Sequence, residues 1–206
     1  MRVRAALAAA VLLFATACTG GSGPDAVPPP GDSGIEVDTP ELRALKAAAG
    51  VEDCVPGTAI TALPAVTLPC LGGGPDVDLS TLQGPMVINF WASNCGPCRV
   101  EMPVLQEFHE AYADQVPVLG VDMLDGYPGK ALNQTRQRGA TYPQLADPGG
   151  DLLTQEVFAK ARGLPYLAFV DAAGEVRGQQ LGGVTSVEEL VTLVEDALDV
   201  DLDPAR

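Results

Sequence analysis

The sequence has few basic residues, a single histidine and no hydrophobic run long enough to span a membrane comfortably. Its 206 residues include 12 Lys or Arg and 27 Asp or Glu, which gives a formal net charge of −15. Because an acidic surface repels phosphates, a nucleic-acid partner is excluded. The single histidine, His109, is expected at the surface or on a helix flank and not as a metal ligand or a base. No nucleotide-binding motif is present either, and we expect no cofactor.

The longest apolar run lies at the N-terminus and has the features of a signal sequence. It extends from Ala5 to Ala17 after two arginines, and it is too short for a transmembrane helix. Cys18 follows small residues and resembles the lipidated cysteine of a bacterial lipoprotein signal, although Ala15 stands where such signals usually carry leucine. We therefore expect residues 1–18 to be a signal that ends at the lipidation site Cys18. Cleavage elsewhere would instead give a soluble secreted protein.

Residues 19–40 are rich in Gly, Ser and Pro and show no hydrophobic periodicity. Such a composition is typical of a flexible tether. The sequence thus predicts an exported protein, held at the outer face of the cytoplasmic membrane through a lipid anchor, whose folded domain comprises residues 41–206.

The folded part alternates strand patterns with helix patterns, and an apolar fraction of 47% is enough for a sizeable core. Apolar runs predict strands, and apolar residues recurring every three or four positions predict helices. The predicted elements are a helix at 41–51, short strands at 64–68 and 77–79, a strand at 86–92, a helix after Cys98, a strand at 116–123, helices at 128–139 and 152–163, a hairpin at 166–182 and a helix at 186–200. This order indicates an α/β layer fold with a central sheet between helices.

Five cysteines are present, and two of them form the motif Cys95-Gly96-Pro97-Cys98. A zinc site needs four ligands, and the other candidate ligands are too few and too scattered. A purely structural disulfide is possible in an exported protein. However, the motif lies between a predicted buried strand and a predicted helix, and this setting favours a redox-active pair.

The position of each cysteine predicts its role. Cys95 lies at the helix N-terminus, where free N–H groups and the helix dipole lower a thiol pKa. Cys98, in the first turn, is shielded by the domain. Gly96 and Pro97 form the tight turn between them. We therefore expect Cys95 to attack a substrate disulfide and Cys98 to resolve the mixed disulfide.

Two segments resemble signatures of a known family. They read VINFWASNCGPCRVEMP, around the two cysteines, and GLPYLAFVDAAGEV, from Gly163 to Val176. Both resemble the TlpA/ResA-type exported thiol–disulfide oxidoreductases, and the resemblance covers about residues 63–198. It implies a thioredoxin fold with an N-terminal extension of short strands. It also implies that Pro165 is a cis-proline facing the dithiol, with the backbone of Leu164 turned toward an extended substrate.

The sequence departs from the pattern of thioredoxin and the TlpA/ResA-type proteins at two positions. Asn89 replaces the buried aspartate of thioredoxin, and the resemblance makes Glu101, three residues after Cys98, the candidate for proton transfer. The alternative is that Glu101 is a solvated helix residue. Asn94 replaces the tryptophan that usually precedes the first cysteine, while Trp91 is expected to pack beside the site or in the core.

Cys54 and Cys70 lie outside the segment shared with thioredoxin, in the N-terminal extension. In an exported protein such a pair most simply forms a structural disulfide. The enclosed loop of about 15 residues would contribute about 3 kcal/mol in the chain-entropy model. A second redox relay is the alternative role.

The predicted function is disulfide reduction in exported client proteins, for example during cytochrome c maturation, with electrons from a membrane thiol donor. The Gly-Pro dipeptide is that of thioredoxin, whose potential is about −270 mV. The alternatives are an oxidase or isomerase of the same fold, a thiol peroxidase, and a copper(I) chaperone. Ala92 opposes the peroxidase, because such enzymes carry Thr three residues before the reactive cysteine. Pro165 opposes the chaperone, because it would keep metal ligands away from the thiols.

Overall fold

The computed structural model of the chain describes residues 33–203. The predicted signal sequence, Cys18 and most of the predicted tether lie outside these residues. Within them, Val37 is buried in the core with 7% exposure, and its carbonyl accepts a hydrogen bond from the Gly72 N–H. The packed domain therefore begins before residue 41, and the predicted boundary between tether and domain is several residues too late.

Four α-helices form within residues 33–203. They are α1 (Pro40–Ala49), α2 (Cys98–Tyr112), α3 (Pro128–Arg138) and α4 (Val187–Leu198). The Thr39 and Ser186 side chains cap α1 and α4 by accepting backbone N–H bonds, while Gly50 and Gly139 end α1 and α3 in the left-handed conformation. No helix within residues 33–203 is long and apolar enough to cross a membrane.

In the part of the chain that the structure describes, seven strands form two sheets. They are β1 (Thr67–Leu68), β2 (Val77–Asp78), β3 (Met86–Trp91), β4 (Val118–Met123), β5 (Gln144–Asp147), β6 (Tyr166–Val170) and β7 (Val176–Leu181). The main sheet has the order β5-β4-β3-β6-β7, with β3, β4 and β5 parallel and β6 and β7 antiparallel. β1 and β2 form a separate antiparallel pair, which is the predicted N-terminal extension.

The main sheet separates two hydrophobic cores. On β3, Val87 and Trp91 point into a core shared with α2, α3 and α4. Ile88 and Phe90 point into the other core, which contains Leu68 from the extension. Because side chains alternate along a strand, both faces of β3 are buried. This mixed sheet with helical segments on both faces confirms the predicted fold class.

One predicted helix is wrong. Residues 152–163 were expected to form a single α-helix, but the chain forms two short 3₁₀-helices, Asp151–Thr154 and Glu156–Arg162. Gln155 separates them with an extended backbone and donates its N–H to the Leu152 carbonyl. Phe158 and Ala161 still face the core. The predicted buried face is therefore present, but the predicted helix type is wrong.

His109 is buried, whereas the sequence predicted a position at the surface or on a helix flank. Its side chain is 9% exposed and its Nε2 lies 3.4 Å from Glu52 Oε1. The ring Nδ1 accepts a hydrogen bond of 3.2 Å from the Val118 N–H. His109 thus ties α2 to the beginning of β4, far along the helix from its N-terminus.

Candidate active site

The Cys95-Gly-Pro-Cys98 motif lies between the end of β3 and the start of α2, and its cysteines are joined in a disulfide. The two Cα atoms are 5.3 Å apart. Cys98 is fully buried, whereas Cys95 is partly exposed. A partner protein can therefore reach the sulfur of Cys95 but not that of Cys98.

The local fold places Cys95 immediately before the helix. The Cys95 N–H donates to the Ala92 carbonyl in a turn after β3, and Pro97 has the helical φ of −59°. The Cys98 N–H donates to Cys95 Sγ at 3.2 Å. This bond and the helix N-terminus both stabilise negative charge on Cys95 when the disulfide opens.

Glu101 is the buried acid of the site. It is 1% exposed, and its Oε1 accepts a hydrogen bond of 2.7 Å from Asn89 Nδ2 on β3. Burial raises the pKa of Glu101 to about 7, although hydrogen bonds from Asn89 and the Val184 backbone act in the opposite direction. At neutral pH the carboxyl group is therefore poised between its two protonation states. It is not a solvated helix residue.

Pro165 follows a cis peptide bond from Leu164. Gly183 lies close to both the Pro165 ring and the Glu101 carboxyl group. A Cβ atom added to Gly183 would lie 3.2 Å from Glu101 Oε2 and 3.4 Å from Pro165 Cγ. Gly183 thus allows the carboxylate and the proline ring to approach the same point. Sequence reasoning missed this glycine, because nothing local distinguishes it from a turn residue.

A groove runs beside the dithiol. Val100 in its wall is an exposed apolar side chain, with 67% exposure. The lining residues come from the start of α2 and from the segment before α4: Gly96, Pro97, Val100, Glu101, Gly183, Val184 and Thr185. An apolar groove next to a reactive pair suits an extended polypeptide segment.

Trp91 and Asn94 occupy different environments. Trp91 is fully buried in the core that also contains Cys98, and its Nε1 donates to Gln144 Oε1 at 2.9 Å. Asn94 is exposed beside Cys95, so no flat apolar side chain stands directly before the first cysteine. Gln144 is a supporting residue that sequence reasoning missed.

The remaining cysteines, Cys54 and Cys70, are joined in a second disulfide with Cα atoms 5.9 Å apart. Both are at most 2% exposed. Lys46 Nζ lies 3.4 Å from Cys70 Sγ and donates to the Gly73 carbonyl. Because the sulfurs are enclosed, a protein partner cannot reach them directly.

Comparisons with known proteins agree with this geometry. A model of the AhpC/TSA family matches residues 60–179. The thiol:disulfide interchange protein HelX of Rhodobacter capsulatus is 35% identical over 138 residues, which cover 66% of this chain and 73% of HelX. The thioredoxin-like protein YneN of Bacillus subtilis is 30% identical over 142 residues, covering 62% of this chain and 77% of YneN.

Solved structures show the same fold. A putative thiol:disulfide interchange protein DsbE from Chlorobium tepidum superposes with a TM-score of 0.54 and 27% identity, covering 68% of this chain and 98% of the other. A secreted thiol-disulfide isomerase from Corynebacterium glutamicum gives a TM-score of 0.59 at 24% identity, covering 67% and 86%. The chain therefore belongs to the AhpC/TSA family, and it is a thiol–disulfide oxidoreductase with the thioredoxin fold.

Proposed function

We propose that the protein reduces disulfides in exported proteins through Cys95 and Cys98. The observation that carries this proposal is the buried Glu101. Glu101 lies in the helix that starts at Cys98, and its carboxyl group accepts a hydrogen bond from Asn89. A proton acceptor in this position lets a shielded thiol lose its proton at neutral pH. The exposed Cys95 and the buried Cys98 then have the two different tasks that disulfide exchange requires.

The reaction begins with the reduced protein. The Cys95 thiolate attacks one sulfur of the client disulfide, and the other client sulfur leaves as a thiolate. Cys98 then passes its proton to the Glu101 carboxylate and attacks Cys95 Sγ. The second client sulfur leaves as a thiolate. One client thiolate takes up the proton held by Glu101, and the other takes one from water. Two electrons have moved to the client, and the protein holds the Cys95–Cys98 disulfide.

Two features favour reduction over oxidation. Negative charge on Glu101, one helical turn after Cys98, disfavours the Cys98 thiolate. Strong thiol–disulfide oxidants instead stabilise their reduced form. The Gly-Pro dipeptide is shared with thioredoxin, whose potential is about −270 mV. An oxidase or isomerase is the second candidate, because the Cys98 N–H bond to Cys95 Sγ stabilises a thiolate there.

Client binding would use the groove beside the dithiol and the backbone next to Pro165. An extended client segment can lie along the exposed Val100 while its disulfide reaches Cys95. Cysteines of an apocytochrome c or of a copper site are suitable clients, since both must be reduced before cofactor attachment. A membrane thiol carrier would return electrons to the Cys95–Cys98 disulfide.

We further propose that Cys18 carries lipid and holds the domain at the outer face of the cytoplasmic membrane. The signal-like residues 1–18 support this proposal. Membrane fractionation of the full chain in its host tests it. The wild-type protein is expected in the membrane fraction, and Cys18→Ala is expected to leave it. An unchanged distribution would contradict lipid anchoring at Cys18.

A trapping experiment in the native host tests the reaction itself. We expect Cys98→Ser to accumulate a mixed disulfide between Cys95 and its client, because no thiol remains to resolve it. The matched variant Cys95→Ser is expected to trap none, since Cys98 is buried. Non-reducing gels followed by mass spectrometry identify the captured client. Equal trapping by both variants would contradict the assigned roles.

A further inference from the structure

A second pair of buried carboxyl groups lies behind the active-site loop. Asp122, near the end of β4, is 2% exposed, and Asp125, in the loop that follows, is 6% exposed. Asp122 pairs in register with Trp91 on β3 and with Ala146 on β5. Both aspartates therefore lie at the carboxyl edge of the parallel strands, the edge from which the dithiol loop leaves.

Asp125 joins two loops at this edge. Its Oδ2 accepts a hydrogen bond of 2.7 Å from the Ser93 N–H, and its Oδ1 accepts one of 2.9 Å from the Tyr127 N–H. Ser93 precedes Cys95 by two residues. The position of the reactive cysteine thus depends on a carboxylate that comes from the neighbouring strand connection.

Asp122 lies next to that carboxylate. The side chains of Asp122 and Asp125 are close enough for a hydrogen bond between them, and such a bond requires a proton on one of them. Oδ1 of Asp122 is buried and has no hydrogen-bond partner among residues 33–203. A charge on Asp122 would therefore be both unpaired and next to a second negative charge, which is costly in the interior.

The surroundings of Asp122 offer no compensating cation on the adjoining strands. Its register neighbours Trp91 and Ala146 are uncharged. Asp147 follows Ala146, but it points to the other face of the sheet and accepts the N–H groups of Asp151 and Leu152. On α3, which packs against the same core, Lys130 lies over the exposed Tyr127 ring. Burial, and then the charge of Asp125, raises the pKa of Asp122 well above its usual range.

We propose that Asp122 is a positioning residue for the exchange reaction: as a neutral acid it donates a hydrogen bond to Asp125, and Asp125 holds Ser93 and thereby Cys95 in place. The inference rests on thiol–disulfide exchange itself and not on its direction. Small displacements of a reacting group lower rates strongly. The hydrogen-bond donor at Asp122, and not its negative charge, is therefore the feature that the site requires.

Three variants of the full chain test this assignment. The measurement is the stopped-flow rate at pH 6 with which the reduced protein attacks a small aromatic disulfide. Asp122→Asn keeps a donor toward Asp125, and its rate is expected within about twofold of wild type. Asp122→Ala removes the donor, and its rate is expected to fall about tenfold, which corresponds to one lost hydrogen bond to a charged group. The control, Asp147→Asn, is expected to keep the wild-type rate.

Carboxyl ¹³C NMR of the oxidised wild-type protein gives a test that requires no variant to fold. The cysteines do not titrate in this state, and Asp122 is expected to remain protonated at pH 7. A rate for Asp122→Asn as low as that of Asp122→Ala would overturn the proposal, as would a wild-type rate for Asp122→Ala. An Asp122 carboxyl group that is ionised at pH 7 would overturn it as well. None of these results depends on the client or on the redox potential.

Discussion

At the scale of single residues, the site depends on Asn89 and Glu101. Asn89 stands in the strand where thioredoxin carries an acid, and here it donates to Glu101 Oε1. The acid of this site therefore lies on the helix and not in the sheet, and its carboxyl group is still buried. The exchange of positions leaves one carboxyl group in this part of the core, which avoids the repulsion of two.

The raised pKa of Glu101 has a measurable effect on stability. The pKa is about 7 in the folded protein and near 4.5 when the group is solvated, so the folded state binds the proton more tightly. The free energy of unfolding therefore falls as pH rises from about 4.5 to about 7, by up to about 3 kcal/mol. Glu101→Gln lacks this titration and is expected to be more stable than wild type at pH 8, but not at pH 4, while its exchange is slower.

Denaturant unfolding of both proteins at the two pH values measures this difference. Glu107→Gln is the matched control, because Glu107 is an exposed residue of the same helix, and its unfolding is expected to follow wild type. If wild type and Glu101→Gln showed the same pH dependence, the buried carboxyl group would not titrate in this range. Its role in proton transfer would then be lost.

At the scale of elements, three parallel strands hold the buried Trp91 side chain. Gly120 on β4 lies between Asn89 on β3 and Gln144 on β5 in the register. A Cβ atom at Gly120 would come within 1.9 Å of Gln144 Oε1, the atom that accepts the Trp91 N–H. The absence of a side chain on β4 thus permits the contact between β3 and β5.

Gly120→Ala is expected to displace Gln144 and to leave the buried indole N–H of Trp91 without its acceptor. The expected loss in the free energy of unfolding is about 1–3 kcal/mol. Trp91 is the single tryptophan, so its fluorescence reports both the local change and the unfolding transition. In α3, a Cβ at Gly129 would make only ordinary contacts of 3.7 Å or more, and Gly129→Ala should not destabilise the protein. Equal stabilities of the two variants would contradict the account.

The second disulfide fastens the N-terminal extension to the main sheet. Cys70 forms an isolated antiparallel bridge with Leu145 of β5, and Cys54 lies 16 residues before it. The double variant Cys54→Ala, Cys70→Ala is expected to lose about 3 kcal/mol of unfolding free energy. It should still exchange disulfides, because Cys95 and Cys98 remain. A folded variant without exchange activity would favour a relay between the two pairs.

At the scale of the whole molecule, the sequence predicted what depends on neighbouring residues. The strand, the dithiol and the helix follow one another within the chain, and their patterns are local. Contacts between distant segments carried no such signal: Trp91 and Gln144 are 53 residues apart, and Ser93 and Asp125 are 32 apart. For the same reason the close approach of Gly183 to Glu101 could not be predicted.

Two of the three wrong predictions, the single helix at 152–163 and the late tether boundary, have related causes. Spacing alone does not distinguish an α-helix from two 3₁₀-helices, because apolar residues three or four apart fit both. The polar composition of residues 33–39 suggested a tether, but Val37 finds a buried place that only the tertiary fold provides. In both segments, packing against the rest of the molecule decided the local structure.

The direction of electron flow is the central claim, and the reduction potential of the Cys95–Cys98 couple tests it most directly. Equilibrating the protein with thiol–disulfide buffers of known potential, and quantifying the oxidised fraction by alkylation, gives this value. The buried Cys54–Cys70 pair serves as an internal reference that should stay oxidised. We predict a potential nearer to about −270 mV than to about −120 mV. A value close to about −120 mV would contradict a reductase and identify an oxidant.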